Sequence, residues 1–243
     1  MSFRYEEKVI LHYSDYLKIL KMIKENNKKF HLYPSRKISS LYFDNDNNDM
    51  FLQGEEGTLP RKKIRLRHYP KQNKDKFFLE IKINSYEGKF KNSKAISLYE
   101  YKQYLKRGIF EKSYNICRPK FWVTYDREYY FFMNARITID RNIKFTSYFN
   151  SNFYSVPDKL ILEIKSKDKK FNILDGKFPF MRSRYSKYAE GYKILYKLLR
   201  KGGIFISDDI QDNCAFAFFC EHNNLESFVI KDKNKFQGII IKK

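Results

Sequence analysis

The 243-residue chain is short of the residues that punctuate or staple small folds. Nine glycines and six prolines are too few for a collagenous or low-complexity chain. Three cysteines, Cys117, Cys214 and Cys220, make no CxxC spacing. That argues against a disulfide frame and a zinc site, and for a reducing, cytoplasmic setting. No apolar run approaches the ~18 residues of a membrane helix; the longest is the heptapeptide from Cys214 to Cys220. The first eight residues are charged from residue 4 onward and lack the apolar core of an export signal. Acidic residues are the scarce charge, 28 Asp and Glu against 49 Lys and Arg, for a net charge of +21.

Aromatic residues, by contrast, are abundant: 20 Tyr, 23 Phe and one Trp. A chain with that payload can bury a sizeable core, which excludes global disorder. Lys, Asn, Ile, Phe and Tyr are frequent together, a mix typical of AT-rich coding, which accounts for part of the lysine. Position is more telling than the total. Residues 203–243 carry five Lys against six Asp and Glu, a net of −1, so residues 1–202 hold +22. A field of that size favours polyanions: nucleic acid, an anionic membrane surface or phosphate chains.

Period-two apolar patterning predicts strands near 3–13, 37–45, 61–69, 76–84, 120–128, 135–145 and 158–167. Helices are predicted from an N-cap at Ser14 to about Lys28, with Leu17, Leu20 and Ile23 on one stripe, and from Ser97 to Arg107. The second opens on a Ser97/Glu100 capping box and stops at Gly108. A third runs from Ser186 to Lys201 and ends at Gly202-Gly203. Turn signals fall at residues 44–48 and 53–57. Residues 1–203 read as one domain, and 204–243 as a tail or extra hairpin of different composition.

Side chains alternate along a strand, so i, i+2 and i+4 share a face. Arg4, Glu6 and Lys8 are in phase, as are Lys63, Arg65 and Arg67, opposite Ile64 and Leu66. Glu80 and Lys82 oppose Leu79, Ile81 and Ile83; Arg136, Thr138 and Asp140 oppose Ile137 and Ile139; Glu163, Lys165 and Lys167 oppose Leu162 and Ile164. One antiparallel sheet with a wet face gives the same alternation. Five such strands, with helices that also need an apolar surface, fit a second arrangement better. In it the sheet curls into a barrel with its apolar faces outward under helices and its charged faces lining the lumen. Unpaired buried charge is too costly for that lumen to be a packed core, so it would hold a polyanion and water. The carboxylates Glu6, Glu80 and Glu163 among the cations suit a divalent metal, which takes oxygen from carboxylate and phosphate alike. Arg61 to Tyr69 is the densest basic strand, and Arg forks match phosphate oxygens. The same run also reads as a nucleic-acid patch, but no RNP-like or KH-like motif accompanies it. Ser186-Lys187 opens a helix, whose N-terminal amides favour an anion.

These residues resemble a known family. Arg4-x-Glu6-x-Lys8, Leu41-Tyr42-Phe43-Asp44-Asn45, Ile64-Arg65-Leu66-Arg67-x-Tyr69, Phe78-Leu79-Glu80-Ile81-Lys82, Arg136-Ile137-Thr138-Ile139-Asp140, Leu162-Glu163-Ile164-Lys165 and Tyr185-Ser186-Lys187-Tyr188 follow one another in order. Together they are similar to the VTC (vacuolar transporter chaperone) domain, the polyphosphate polymerase branch of the triphosphate tunnel, or CYTH-like, metalloenzymes. The resemblance implies an α+β fold, an antiparallel eight-stranded β tunnel (barrel) with helices packed outside. It implies a phosphotransferase that moves the γ-phosphate of ATP onto inorganic polyphosphate with Mn²⁺ or Mg²⁺. Arg65, Arg67, Lys82, Arg136 and Lys187 would grip phosphates for catalysis. Lys8, Lys91, Lys165 and Ser186 would bind substrate, with Lys91 and Lys94 competing for one family position. Glu163 would hold the metal, with Glu6 and Glu80 beside it. Arg4 stands where many tunnel relatives have a first Glu, which weakens a two-metal hydrolase reading. The resemblance also implies a membrane-protein partner for a chain with no span of its own, and makes nucleic acid a poor candidate. A triphosphate or polyphosphate hydrolase of the same fold, and a polyphosphate- or RNA-binding module without turnover, are the alternatives.

Overall fold

The computed structural model describes residues 5–26, 31–70, 73–132, 135–149, 153–156, 159–166, 183, 185–196, 204–207, 227–232 and 235–241. The chain divides into two units, Met1–Gly191 and Tyr192–Lys243.

In the first unit, eight strands follow one antiparallel path. They are β1 (Tyr5–Leu11), β10 (Leu160–Ser166), β8 (Ala135–Ser147), β7 (Asn115–Phe132), β2 (His31–Asp44), β3 (Arg61–Tyr69), β4 (Asn73–Ser85) and β5 (Gly88–Ile96), in that spatial order. Two short strands attach at the side, β6 (Ile109–Glu111) on β7 and β9 (Phe153–Val156) on β8. The sheet curls, because residues from its opposite ends meet. Lys82 of β4 lies in the field of Glu6 of β1 and Glu163 of β10, and Lys63 of β3 in that of Lys8 of β1. The antiparallel register keeps the expected phase. Arg65 pairs with Tyr42 and Glu80, Lys63 with Lys82, and Lys82 with Lys91. Lys8 pairs with Glu163, and Arg136 with Lys165. Directly opposed residues share a face, so charged rows from both ends of the sheet line the concave side, with Tyr42, Ser40 and Ile38 of β2 between them.

The other face is apolar and carries helices. Helix α1 (Tyr13–Asn26) lays Tyr16, Ile19 and Ile23 on Val9, Leu11, Tyr130, Phe132, Ile137, Ile139, Leu162 and Ile164. The helix begins one residue before the expected cap, with the His12 carbonyl accepting from the Asp15 and Tyr16 amides. That shift turns Leu17 out, 52% exposed, and puts Tyr16 and Ile19 on the stripe instead. A buried polar knot secures the contact: the Tyr16 and Tyr130 hydroxyls both donate to Glu128 Oε2, at 3.0 and 2.7 Å, and Arg141 pairs with Oε1 at 2.5 Å. Helix α3 (Leu98–Arg107) has the expected capping box, and its Tyr101 stacks on Phe77 at 4.1 Å.

Helix α2 (Asp49–Glu56) falls where the turn signals were read. Asp44 organises it: its carboxylate accepts from the amides of Asn45, Met50 and Phe51. Asn48 (φ 61°) and Gly57 (φ 80°) bracket the helix in left-handed conformations. Strand β5 escapes the apolar pattern because most of its residues are exposed and only Ile96 is buried.

Helix α4 (Lys187–Tyr196) begins on the concave side. Tyr188 packs on Tyr42 and Phe121, with ring centroids 5.2 and 6.0 Å away, and its hydroxyl donates to Asp44 Oδ2. A Cβ on Gly191 would lie 2.3 Å from the Phe121 ring, so only glycine admits this approach. In the second unit β11 (Ile204–Ser207), β13 (Lys235–Ile241) and β12 (Ser227–Asp232) form an antiparallel sheet in that order. Arg4, Lys167, Lys201 and the Cys214–Cys220 run lie outside the described residues.

Candidate active site: a cation-lined concave trough

On the β3–β4 wall, Arg65 donates from Nε to Glu80 Oε2 at 2.7 Å and from Nη1 to the Tyr42 hydroxyl at 3.0 Å. Lys91 occupies the other Glu80 oxygen, and Arg67 Nη1 stands 3.6 Å from Oε2. Burial would raise the Glu80 pKa, but Arg65, Arg67 and Lys91 overcome it and hold the carboxyl far below its ordinary range. Arg67 also donates to Ser40 Oγ and the Tyr125 hydroxyl, each at 3.1 Å.

Across the trough, Lys165 bridges Glu163 at 2.6 Å and Glu6 at 3.4 Å. Lys8 stands 3.5 Å from Glu6 and donates to the Tyr185 carbonyl at 3.2 Å. Burial pushes Glu163 up, yet Arg127, Lys165, Lys8 and Lys82 drive it well below the usual carboxylate range. Glu6 is pushed up by burial and by Glu163, and is still brought down by Lys165, Lys8 and Lys82. Both carboxylates are therefore ionised. Lys82 pays the opposite cost: burial and Arg65 depress it strongly, and Glu6 and Glu163 restore only part.

A third cluster ties α4 to the β7–β8 wall. Asp140, completely buried, takes Arg127 as a fork, Nε to Oδ1 at 2.5 Å and Nη2 to Oδ2 at 2.7 Å. Lys187 Nζ reaches the same Oδ2 at 2.5 Å and lies over the Tyr125 ring. Arg127 Nη2 stands 3.8 Å from Glu163 and so links this cluster to the second. Lys63 donates to Ser186 Oγ at 2.9 Å, and burial lowers its pKa to about 8. Tyr42, although buried, is lowered because Arg65, Arg67 and Lys63 outweigh that burial.

Of the twelve residues expected to act in the site, the ten on strands share this face, and Ser186 and Lys187 reach it from the start of α4. Arg136 lies opposite Lys165 in register, and its Nε is buried without a hydrogen-bond partner. Lys91, not Lys94, is on the trough side; Lys94 pairs with Glu100 on exposed surface. The carboxylates do not converge as a metal trio. Glu80 is clamped by its own cations, and among the described residues no three Asp, Glu, His or Cys side chains gather at ligating spacing. Glu6 and Glu163 remain as a pair, a fit for a hard cation whose other oxygens come from phosphate and water. Arg127 and Tyr125 were not expected in the site, and Lys63 and Tyr42, although in the expected lumen row and motif, were given no role. The alternation Tyr125-x-Arg127-x-Tyr129 was the available signal, in phase with the charged rows of neighbouring strands.

The curled antiparallel sheet with its cations facing inward is the tunnel arrangement expected from the sequence. The chain belongs to the VTC domain family, whose pattern matches residues 3–196. No curated protein matches it. Among solved structures, a Bacillus halodurans protein described as a candidate adenylate cyclase is 12% identical, covering 76% of this chain and 94% of that one, with a TM-score of 0.53. A Hippeastrum protein, described as a candidate adenylyl cyclase with a dominant triphosphatase activity, is 14% identical, covering 79% and 96%, with a TM-score of 0.51. At these identities the likeness is one of fold. Among the described residues no helix is long and apolar enough to cross a membrane.

Proposed function

We propose that the chain is a polyphosphate polymerase, transferring the γ-phosphate of ATP to the end of an inorganic polyphosphate chain within the trough. The supporting observation is the gathering of Arg65, Arg67, Lys82, Lys165 and Arg127 on one face with the ionised carboxylates Glu6 and Glu163 among them. A site built only to hold a polyanion gains nothing from carboxylates on its wall. Membership of the VTC family supports the same reading.

Phosphoryl transfer asks for positioning and charge neutralisation more than for covalent chemistry. Arg65 and Arg67 present forked donors to phosphate oxygens, while Lys82 and Lys63 regain full charge when an anion arrives. Ser186 and the first amides of α4 offer hydrogen bonds to a phosphate at that end. The γ-phosphorus loses its bond to the ADP oxygen and gains one to a terminal oxygen of the growing chain. That oxygen is already ionised at neutral pH, so no general base is needed. Mn²⁺ or Mg²⁺ on Glu6 and Glu163, when bound, would offset charge on the phosphate oxygens.

Incubation with ATP, Mn²⁺ and a short polyphosphate primer, with products sized on a gel, tests the proposal. A ladder longer than the primer is expected; orthophosphate release without elongation would sink it. That second outcome is the triphosphatase reading, in which water takes the place of the chain end. The activity described for the Hippeastrum protein favours it as the alternative.

A further inference from the structure

The end of the trough away from α4 is aromatic rather than cationic. Along β2 the concave row runs from Tyr42 through Ser40 and Ile38 to Arg36, and a bulge then brings Tyr33 onto it. Arg36 pairs with Arg127 and Tyr33 with Tyr129, both on the concave side of β7. The rings of Tyr33 and Tyr129 meet edge to face at 5.7 Å. The Arg36 guanidinium lies over both, 5.8 Å from one centroid and 5.7 Å from the other. Tyr69 and Phe78 add a second edge-to-face pair at 6.1 Å, and Tyr69 lies within the field of Tyr129. Tyr33 is 48% exposed, while Arg36 Nε is buried without a hydrogen-bond partner.

We propose that this collar is a nucleobase site: a purine ring stacks on Tyr33 and Arg36 while its triphosphate extends into the trough. The inference rests on the proposed use of a nucleoside triphosphate and adds recognition of its base. Three features favour a base as occupant. A half-exposed tyrosine offers a flat π-face, and every base has one to match it. A guanidinium stacks on aromatic planes as readily as it pairs with anions. The orphaned Arg36 Nε–H needs an acceptor in the guanidinium plane, which a ribose oxygen beside the stacked base supplies. The collar is also continuous with the phosphate-binding wall through the Arg36–Arg127 pair, so base and phosphates can be engaged together.

The test compares ATP with inorganic tripolyphosphate, which has the phosphates and no base. Both are titrated calorimetrically into wild type, Tyr33→Ala and Tyr33→Trp without metal. Loss of one base–aromatic stack should weaken ATP binding about ten-fold in Tyr33→Ala and leave tripolyphosphate unchanged. In Tyr33→Trp, ATP should bind at least as tightly as to wild type, and ATP but not tripolyphosphate should quench the added indole. Unchanged ATP affinity in Tyr33→Ala, or a parallel loss for both ligands, would overturn the base site. Failure of the wild type to bind either ligand would remove the base site and the proposed function together. An ATP-selective loss in a protein that makes no polymer would leave the base site standing and the polymerase reading fallen.

Discussion

At the scale of single residues, Lys63 shows the tension in an anion site. Its ammonium is half-buried, donates to the neutral Ser186 hydroxyl and lies over the Tyr188 ring, and its pKa drops from an ordinary 10.5 to about 8. The unfolded chain therefore binds more protons than the folded one between about pH 8 and 10.5. Stability rises with pH across that window, because the penalty for a buried charge is fully present below it and vanishes above it. Tripolyphosphate affinity runs the other way, falling as Lys63 loses the proton that an anion needs. Lys63→Met should reduce the stability slope, leaving the share contributed by the likewise depressed Lys82, and should lessen the fall in affinity; denaturant melts and titrations from pH 7 to 10.5 check both. Glu163 is the opposite case. Glu163→Gln leaves Lys165 and Arg127 short of a counter-charge and should cost about 3 kcal/mol of stability. The same change makes the trough more positive, so tripolyphosphate should bind as tightly or tighter, while metal-dependent turnover is lost. Unchanged metal dependence across a Mn²⁺ titration would remove Glu163 as a ligand.

At the scale of elements, α4 depends on one missing side chain. Gly191→Ala drives a Cβ to 2.3, 2.8 and 2.9 Å from three atoms of the Phe121 ring, an overpacking expected to cost about 1–3 kcal/mol. The helix start would be displaced with it, carrying Ser186 and Lys187 from Lys63 and Asp140, so triphosphate affinity should fall alongside the melting temperature. Adding Phe121→Leu should recover part of both, whereas a purely local strain would leave affinity untouched. The strands that build the trough were legible because each sets one charged row against one apolar row. Ile64 and Leu66 outward under the helices and Arg65 and Arg67 inward to the trough follow directly from period two. Helix α2 was not legible: its start is written in Asp44 and Asn48, which read as a turn until the Asp44 carboxylate is seen collecting three amides. Nor was β5, whose residues are held by pairing with β4 rather than by burial. Arg127 was hidden for a different reason. Its role exists only through Asp140 and Glu163, contributed by two other strands, and no spacing in one sequence records that meeting.

At the scale of the whole molecule, the net charge of +21 sets the solution behaviour. The clustered cations repel one another, and salt screens both that repulsion and the attraction for polyanions. Raising NaCl should weaken tripolyphosphate binding steeply. Saturation at about 100 times Kd should stabilise the fold by about 2.7 kcal/mol, read as a rise in melting temperature. Arg67→Ala should lose most of that ligand-induced rise and lower the ligand-free melting temperature only modestly, since the lost contacts to Ser40, Tyr125 and Glu80 are partly offset by one cation fewer in the trough. A ligand-free protein that unfolds on this change would make Arg67 a structural residue. The two depressed lysines of the trough, Lys63 and Lys82, carry the same point into a longer span of time. Each burdens the fold that carries it until an anion comes. In a lineage that had abandoned phosphate chains, neutral replacements at these two positions would be favoured by stability alone and should be among the first to spread. Their retention or loss in descendants would then date the end of the activity, as a worn key dates the last use of its lock.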